Sequence, residues 1–164
     1  EVIEARWLFD VDPAQIQVLV HPQSIIHSAV EYEDGAVIAQ IGVPDMRLPI
    51  QYALYYPERR PMPGDRLDFY ALGQITFERP DMETFPALRL AYDAIQKGGN
   101  LPTAFNAADE FAVQKFLERK ISFPEIWEMI RCSMDTCRFI ENPSLDQIFD
   151  TEREVQEILA GWKK

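Results

Sequence analysis

The sequence predicts an α+β fold: a small mixed sheet with helices, followed by a bundle of helices. Three observations predict it. Residues 28–41 alternate on either side of an Asp34-Gly35 pair, as the arms of a β-hairpin do. Four segments after residue 84 repeat their apolar residues with the period of a helix. Between these regions runs "ERPDMETFP" (78–86), a polar connector with two prolines. The expected division is therefore an α/β segment at 1–78, a linker at 79–86 and a helical domain at 87–164.

The chain opens on "EVIEARWLF", whose apolar Val2, Ile3, Ala5, Trp7, Leu8 and Phe9 predict a short, well-buried helix. Pro13 ends it, because proline disfavours helix at the residue before it. "IQVLV" (16–20) is β-branched and short and predicts a strand stopped at His21-Pro22. In the hairpin, Asp34-Gly35 predicts a two-residue type I′ turn, with glycine supplying the positive φ. That turn would pair Glu33 with Ala36, Val30 with Ala39 and His27 with Gly42, placing Ser28, Val30, Tyr32, Val37, Ala39 and Ile41 on the core face. His27 then lies on the polar face with Glu31 and Gln40, at the open end of the hairpin beside the loop "GVPDM" (42–46).

"DMRLPIQYALYYPERR" predicts a helix capped by Asp45 and stopped by Pro57. "LDFYALGQITFERP" predicts a strand. The helical part follows: "TFPALRLAYDAIQKGG" stops at Gly98-Gly99, and "PTAFNAADEFAVQKFLERK" is long and amphipathic. "SFPEIWEMIRCSM" opens on a capping box from Ser122 to Glu125, and "SLDQ" (144–147) opens another. "TEREVQEILAGWKK" places its acids early and its lysines last, as the helix dipole prefers.

With 164 residues, 47% of them hydrophobic, the chain can bury one ordinary core or two small ones. The formal net charge of -11 disfavours nucleic acid and anionic membrane as partners, since both need a basic face. No apolar run approaches the roughly 20 residues of a membrane span, and no signal peptide is visible. Cys132 and Cys137 would point roughly 140° apart on one helix, so the expectation is two reduced thiols. Without an initial methionine, and with a helix beginning at once, the sequence reads as a piece of a longer protein.

Both histidines lie in "HPQSIIHS" (21–28). His21, wedged before Pro22, reads as a turn residue. His27, beside a Gly/Pro loop at a strand end, is either a satisfied structural group or a binding or catalytic one. Glu1 and Glu4 share a helix face one turn apart, the spacing of two hard-cation ligands and equally of a solvated helix face. No phosphate-binding glycine loop, serine elbow or zinc motif occurs.

"EVIEARWLF", "HPQSIIHSAVEYEDGAVIAQIGVPDMRLPIQYAL" and "TAFNAADEFAVQKFLERKISFPEI" together closely resemble the 1-deoxy-D-xylulose 5-phosphate reductoisomerase family, in order and across essentially the whole chain. The resemblance implies an oxidoreductase and isomerase of non-mevalonate isoprenoid synthesis. Such an enzyme uses NADPH and a divalent Mg or Mn ion to turn 1-deoxy-D-xylulose 5-phosphate into 2-C-methyl-D-erythritol 4-phosphate. It further implies that residues 1–78 are the later part of a catalytic domain, that residues 87–164 form a four-helix domain, and that the nucleotide-binding half lies elsewhere, so that the fragment is inactive alone.

Residue by residue, the resemblance implies that Glu1 is a carboxylate metal ligand that also contacts substrate. Glu4 becomes an acid just outside the ring of ligands. His27 becomes a catalytic and substrate-binding histidine, and Pro44 and Met46 the contacts of a loop over the nicotinamide. A homodimer formed through residues 16–77 is expected, in the bacterial cytoplasm or, for a plant-type source, in the plastid stroma. One departure is Asp109, where the family's "NAANE" reads "NAADE". Two other readings stay open: a separate or repurposed assembly or binding module, and a related oxidoreductase with an altered substrate.

Overall fold

A computed structural model describes residues 1–162. It holds seven α-helices and one two-stranded sheet among those residues. They form two compact units, one made of residues 1–18 with 80 onward, the other of Leu19–Arg79.

In the first unit, α1 (Val2–Phe9) ends at Asp10 in the left-handed conformation, φ 48°. A 3-10 turn at Pro13–Gln15 follows, capped by Asp12, whose carboxylate accepts from Ala14 N at 2.8 Å. Both segments pack on α4 (Ala87–Lys97), and Tyr92 Oη donates to Ile16 O at 2.9 Å. The stretch 1–18, expected with the α/β segment, thus joins the helices. The expected burial of α1 is not met: Trp7, Leu8 and Phe9 are exposed, because α4 covers one side of the helix only.

Helix α5 (Leu101–Leu117) is the axis of the bundle, with α4, α6 (Phe123–Thr136) and α7 (Leu145–Ala160) packed around it. Its Ala104, Ala107, Ala108 and Ala112 are buried at helical spacing, and such small side chains let neighbouring backbones approach closely. Met129 and Ile130 from α6 and Val155 and Leu159 from α7 fill the rest. The expected starts are present. Glu125 accepts from Ser122 N at 2.6 Å, and Gln147 and Ser144 bond reciprocally. Asn100 is fully buried and links three segments: its amide donates to Arg138 O and Thr151 Oγ1 and accepts from Ile140 N. Cys132 and Cys137 are free thiols. The terminal lysines invoked for the dipole, Lys163 and Lys164, lie outside the described residues.

In the second unit, β1 (Ile26–Glu31) and β2 (Val37–Ile41) pair antiparallel. The register differs from expectation by one residue: Glu31 faces Val37 and Val30 faces Ile38. Three residues, not two, make the turn. Tyr32 N bonds Ala36 O, Gly35 N bonds Tyr32 O, and Asp34 Oδ1 captures Ala36 N, with Gly35 at φ +82°. The slip moves Val37 and Ala39 off the face of Ser28 and Val30, so the expected core face does not form. Both faces of the hairpin are largely exposed.

Two expected strands are also corrected. "IQVLV" contributes only the bridge Val20–Glu78, because extended β-branched residues need a neighbouring strand to pair with. "LDFYALGQITF" begins with α3 (Phe69–Leu72) instead. Asp68 caps it by accepting from Tyr70 N and Ala71 N, and Gly73 stops it at φ +68°. The sheet is therefore two-stranded and antiparallel rather than mixed. The α+β class stands.

Candidate functional site

The loop 42–46 leaves β2 and leads into α2 (Arg47–Tyr55). Its near end is tied to the hairpin by Gly42 N donating to Ile25 O at 2.9 Å. Just there, β1 carries one extra residue between the pairs Ile26–Ile41 and Ser28–Gln40. That bulged residue is His27, and a bulge re-aims its side chain. The imidazole Nε2 lies 3.0 Å from Gly42 O. A carbonyl only accepts, so Nε2 carries the proton and, in the neutral ring, Nδ1 holds the lone pair. The exposed ring thus offers an acceptor to whatever lies beside the loop. The expected neighbourhood of His27 and Gly42 is present, reached by a bulge rather than by direct pairing.

The far end of the loop is held by Asp45. Its Oδ1 accepts from Arg47 N at 3.0 Å and from Arg47 Nε at 2.9 Å, while Oδ2 accepts from Nε at 3.0 Å and Nη2 at 2.5 Å. The Arg47 guanidinium holds the Asp45 carboxyl below the usual carboxylate range. Between these anchors Pro44 is exposed and Met46 is 72% exposed. A proline ring and a thioether presented this way suit the face of a flat aromatic ring. Behind the loop lies a groove of about 390 Å³ whose lining includes Gly42, Val43, Tyr52, Arg59 and Arg66. Arg59 stacks on Tyr52 with its guanidinium carbon 3.5 Å from the ring centroid.

His21 sits at the turn into this hairpin, its Nδ1 donating to Thr76 O at 2.9 Å and its ring stacked on Phe77. Gln23 adds bonds to Thr76 N and Oγ1. This is a brace between chain segments.

Glu1 and Glu4 lie in the other unit, one turn apart at the start of α1, with both side chains exposed and the Glu1 α-amino group 3.6 Å from Glu4 Oε2. Their hard carboxylate oxygens fit Mg or Mn in kind. In number they fall short of a donor set: among the described residues no group of three or more His, Cys, Asp or Glu could hold a metal. So His27, Pro44 and Met46 meet at one loop, and the two glutamates stand on a separate helix. Sequence reasoning missed Arg47 as the partner of Asp45. The signal was an acid at the loop's end with a cation two residues on.

The profile of the DXP reductoisomerase C-terminal domain matches residues 41–158. The chain belongs to that family. Among reductoisomerases of this name, it is 64% identical over 153 residues to the protein of Agathobacter rectalis, covering 93% of this chain and 40% of that one. It is 57% identical over 158 residues to that of Caldanaerobacter subterraneus subsp. tengcongensis, covering 96% and 41%. The reductoisomerase of Zymomonas mobilis in complex with NADPH superposes with a TM-score of 0.89 at 45% identity, over 97% of this chain and 42% of that one. A DOX-P reductoisomerase in complex with NADPH, fosmidomycin and magnesium also gives 0.89, at 39% identity over 97% and 41%. This reductoisomerase-family chain thus spans about two fifths of the length of the curated relatives it matches.

Proposed function

We propose that this chain is the C-terminal part of an NADPH- and divalent-metal-dependent reductoisomerase converting 1-deoxy-D-xylulose 5-phosphate into 2-C-methyl-D-erythritol 4-phosphate. The observation that carries the reading is the braced loop: the family-like run from His21 to Ile50 folds so that His27 abuts the loop presenting Pro44 and Met46. The reductoisomerase complexes with NADPH and with magnesium support the same cofactors here. In the whole enzyme, residues 1–78 complete the catalytic domain, with 1–18 packed on the helices, 79–86 link, and 87–164 form the helical domain.

When bound, the metal stabilises charge on the vicinal oxygens of the rearranging hydroxyketone, and NADPH supplies the hydride. Glu1 gives one carboxylate to the ion and touches substrate, and Glu4 supports it from outside the ligands. His27, its Nε2–H committed to Gly42 O, uses Nδ1 to accept a hydrogen bond or proton from a substrate hydroxyl. Pro44 and Met46 cover the nicotinamide face and exclude water. A homodimer through residues 16–77 and residence in the bacterial cytoplasm or plastid stroma complete the proposal. Among the described residues no helix is long and apolar enough to cross a membrane.

The decisive assay is substrate-dependent NADPH oxidation by the full-length protein, which Glu1→Gln should nearly abolish while shifting the metal titration. The 164-residue chain alone should show neither turnover nor micromolar NADPH binding. Wild-type metal titration and rate in Glu1→Gln would overturn the assignment of Glu1.

A further inference from the structure

We propose that Asp45 and Arg47 are a positioning pair whose two-pronged ion pair fixes how Pro44 and Met46 are presented to the nicotinamide. This rests on the reading of that loop given above. Met46 lies between the two partners, and its side chain is 72% exposed, so no core packing orients it. Its direction follows from the backbone, which has φ -62° and ψ -19° there. One carboxylate sets that backbone by holding both the N–H and the guanidinium of the residue after Met46. The carbonyl of Asp45 also accepts from Leu48 N at 3.1 Å, tying the same turn to α2.

The Asp45 carboxylate also receives the first N–H of α2, but the ion pair itself adds little to helix stability. Side chains two apart do not meet on a helix face, and an exposed ion pair adds little to folding. A third segment backs the pair: a Cβ at Gly64 would stand 3.5 Å from Arg47 Nη2 and 4.0 Å from Asp45 Oδ2. With φ +132° that position favours glycine, and the segment at Gly64 lies beside the pair with room for no more than a Cβ in ordinary contact. Lysine could not replace Arg47 here, because an ammonium is a single point charge without the planar fork.

The test uses the full-length enzyme, comparing binding of NADPH with binding of 2′,5′-ADP, which lacks the nicotinamide. Arg47→Gln should raise the Kd for NADPH about tenfold while leaving that for 2′,5′-ADP unchanged. It should lower kcat/KM for NADPH by up to about 10²-fold, as loosened positioning does. Arg47→Lys should recover only part of the loss, with an unchanged melting temperature in both variants. In the double variant Arg47→Gln/Met46→Ala the losses should not add, since both act at one contact. An NADPH Kd within about twofold of wild type, equal weakening of 2′,5′-ADP, or additive losses would overturn the proposal. Met46→Ala separates the two levels. If it weakens NADPH and Arg47→Gln does not, only the positioning role fails; if it leaves NADPH binding unchanged, the loop reading fails and this proposal with it.

Discussion

Apart from Ile25, every buried apolar side chain among the described residues lies between Ala91 and Leu159. The helical part fills its interior with alanine, methionine and branched side chains and satisfies Asn100 on three sides. The hairpin part leaves Val30, Val37 and Ile38 more than half exposed and spends its polar bonds on a turn, a bulge and a loop. The bundle holds nearly all of the buried core, while the hairpin part carries His27, Pro44 and Met46, proposed to meet substrate and nicotinamide; of the proposed site residues, Glu1 and Glu4 lie in the unit of the helices. Sites built on loops over a separate scaffold follow the same division. Substitutions in the two regions should therefore separate kinetics from stability.

The largest separation is expected at His27. His27→Ala in the full-length enzyme should cost about 10²–10⁴ in kcat/KM if Nδ1 takes a proton from substrate. The exposed ring supports no core, so the melting temperature should hold. A lower melting temperature with wild-type kinetics would return His27 to a brace for Gly42 and erase the contrast.

Asn100→Ala is the mirror case, measured on this chain by urea unfolding. It removes the part-buried bonds to Ile140 N and Arg138 O, and a polar group left unpaired away from water costs at most about 1–3 kcal/mol. The neighbouring Gly99 sharpens the point, because a Cβ there would come within 2.4 Å of Ile140 O at φ +59°. Full-length variants at either position should keep their KM values while losing stability. A change in NADPH affinity without loss of stability would mean that the helical region reaches the site.

The same contrast governs what was legible. The helices declared themselves because their cores are internal: periodicity, the caps at Ser122 and Ser144 and the Gly98-Gly99 stop all act within a few residues. The hairpin was legible as a hairpin, but its register was not. Whether two or three residues form the turn depended on Asp34 capturing Ala36 N, a local competition invisible to alternation alone. The run at 67–77 read as a strand because its aromatic and β-branched residues outweighed the caps Asp68 and Gly73 that set α3. Glu1, His27, Pro44 and Met46 came through resemblance; from spacing alone Glu1 and Glu4 are a solvated helix face. The Asp45–Arg47 pair lay within three residues, yet a two-residue separation carries no helical or strand pairing rule to flag it.

The smallest expected effect concerns Asp109, the position at which the family's asparagine is replaced. Burial pushes its carboxyl up from the ordinary 3.8, Glu110 adds to this, and the α-amino group of Glu1 opposes it. Between 3.8 and the raised folded value, the folded chain keeps a proton that the unfolded chain has released. Stability from this group is therefore fully present at low pH, declines as pH rises through that window and then levels off. At neutral pH the carboxylate is a cost on α5 that a neutral amide of the same shape removes. Asp109→Asn should accordingly stabilise this chain near neutrality, by at most about 1 kcal/mol, and the gain should shrink as the pH falls toward the ordinary carboxylate range. Urea midpoints for both proteins across that range would measure it. A gain independent of pH would trace instead to local hydrogen bonding. A loss near neutrality would show that the charge at Asp109 has a partner that the amide cannot replace.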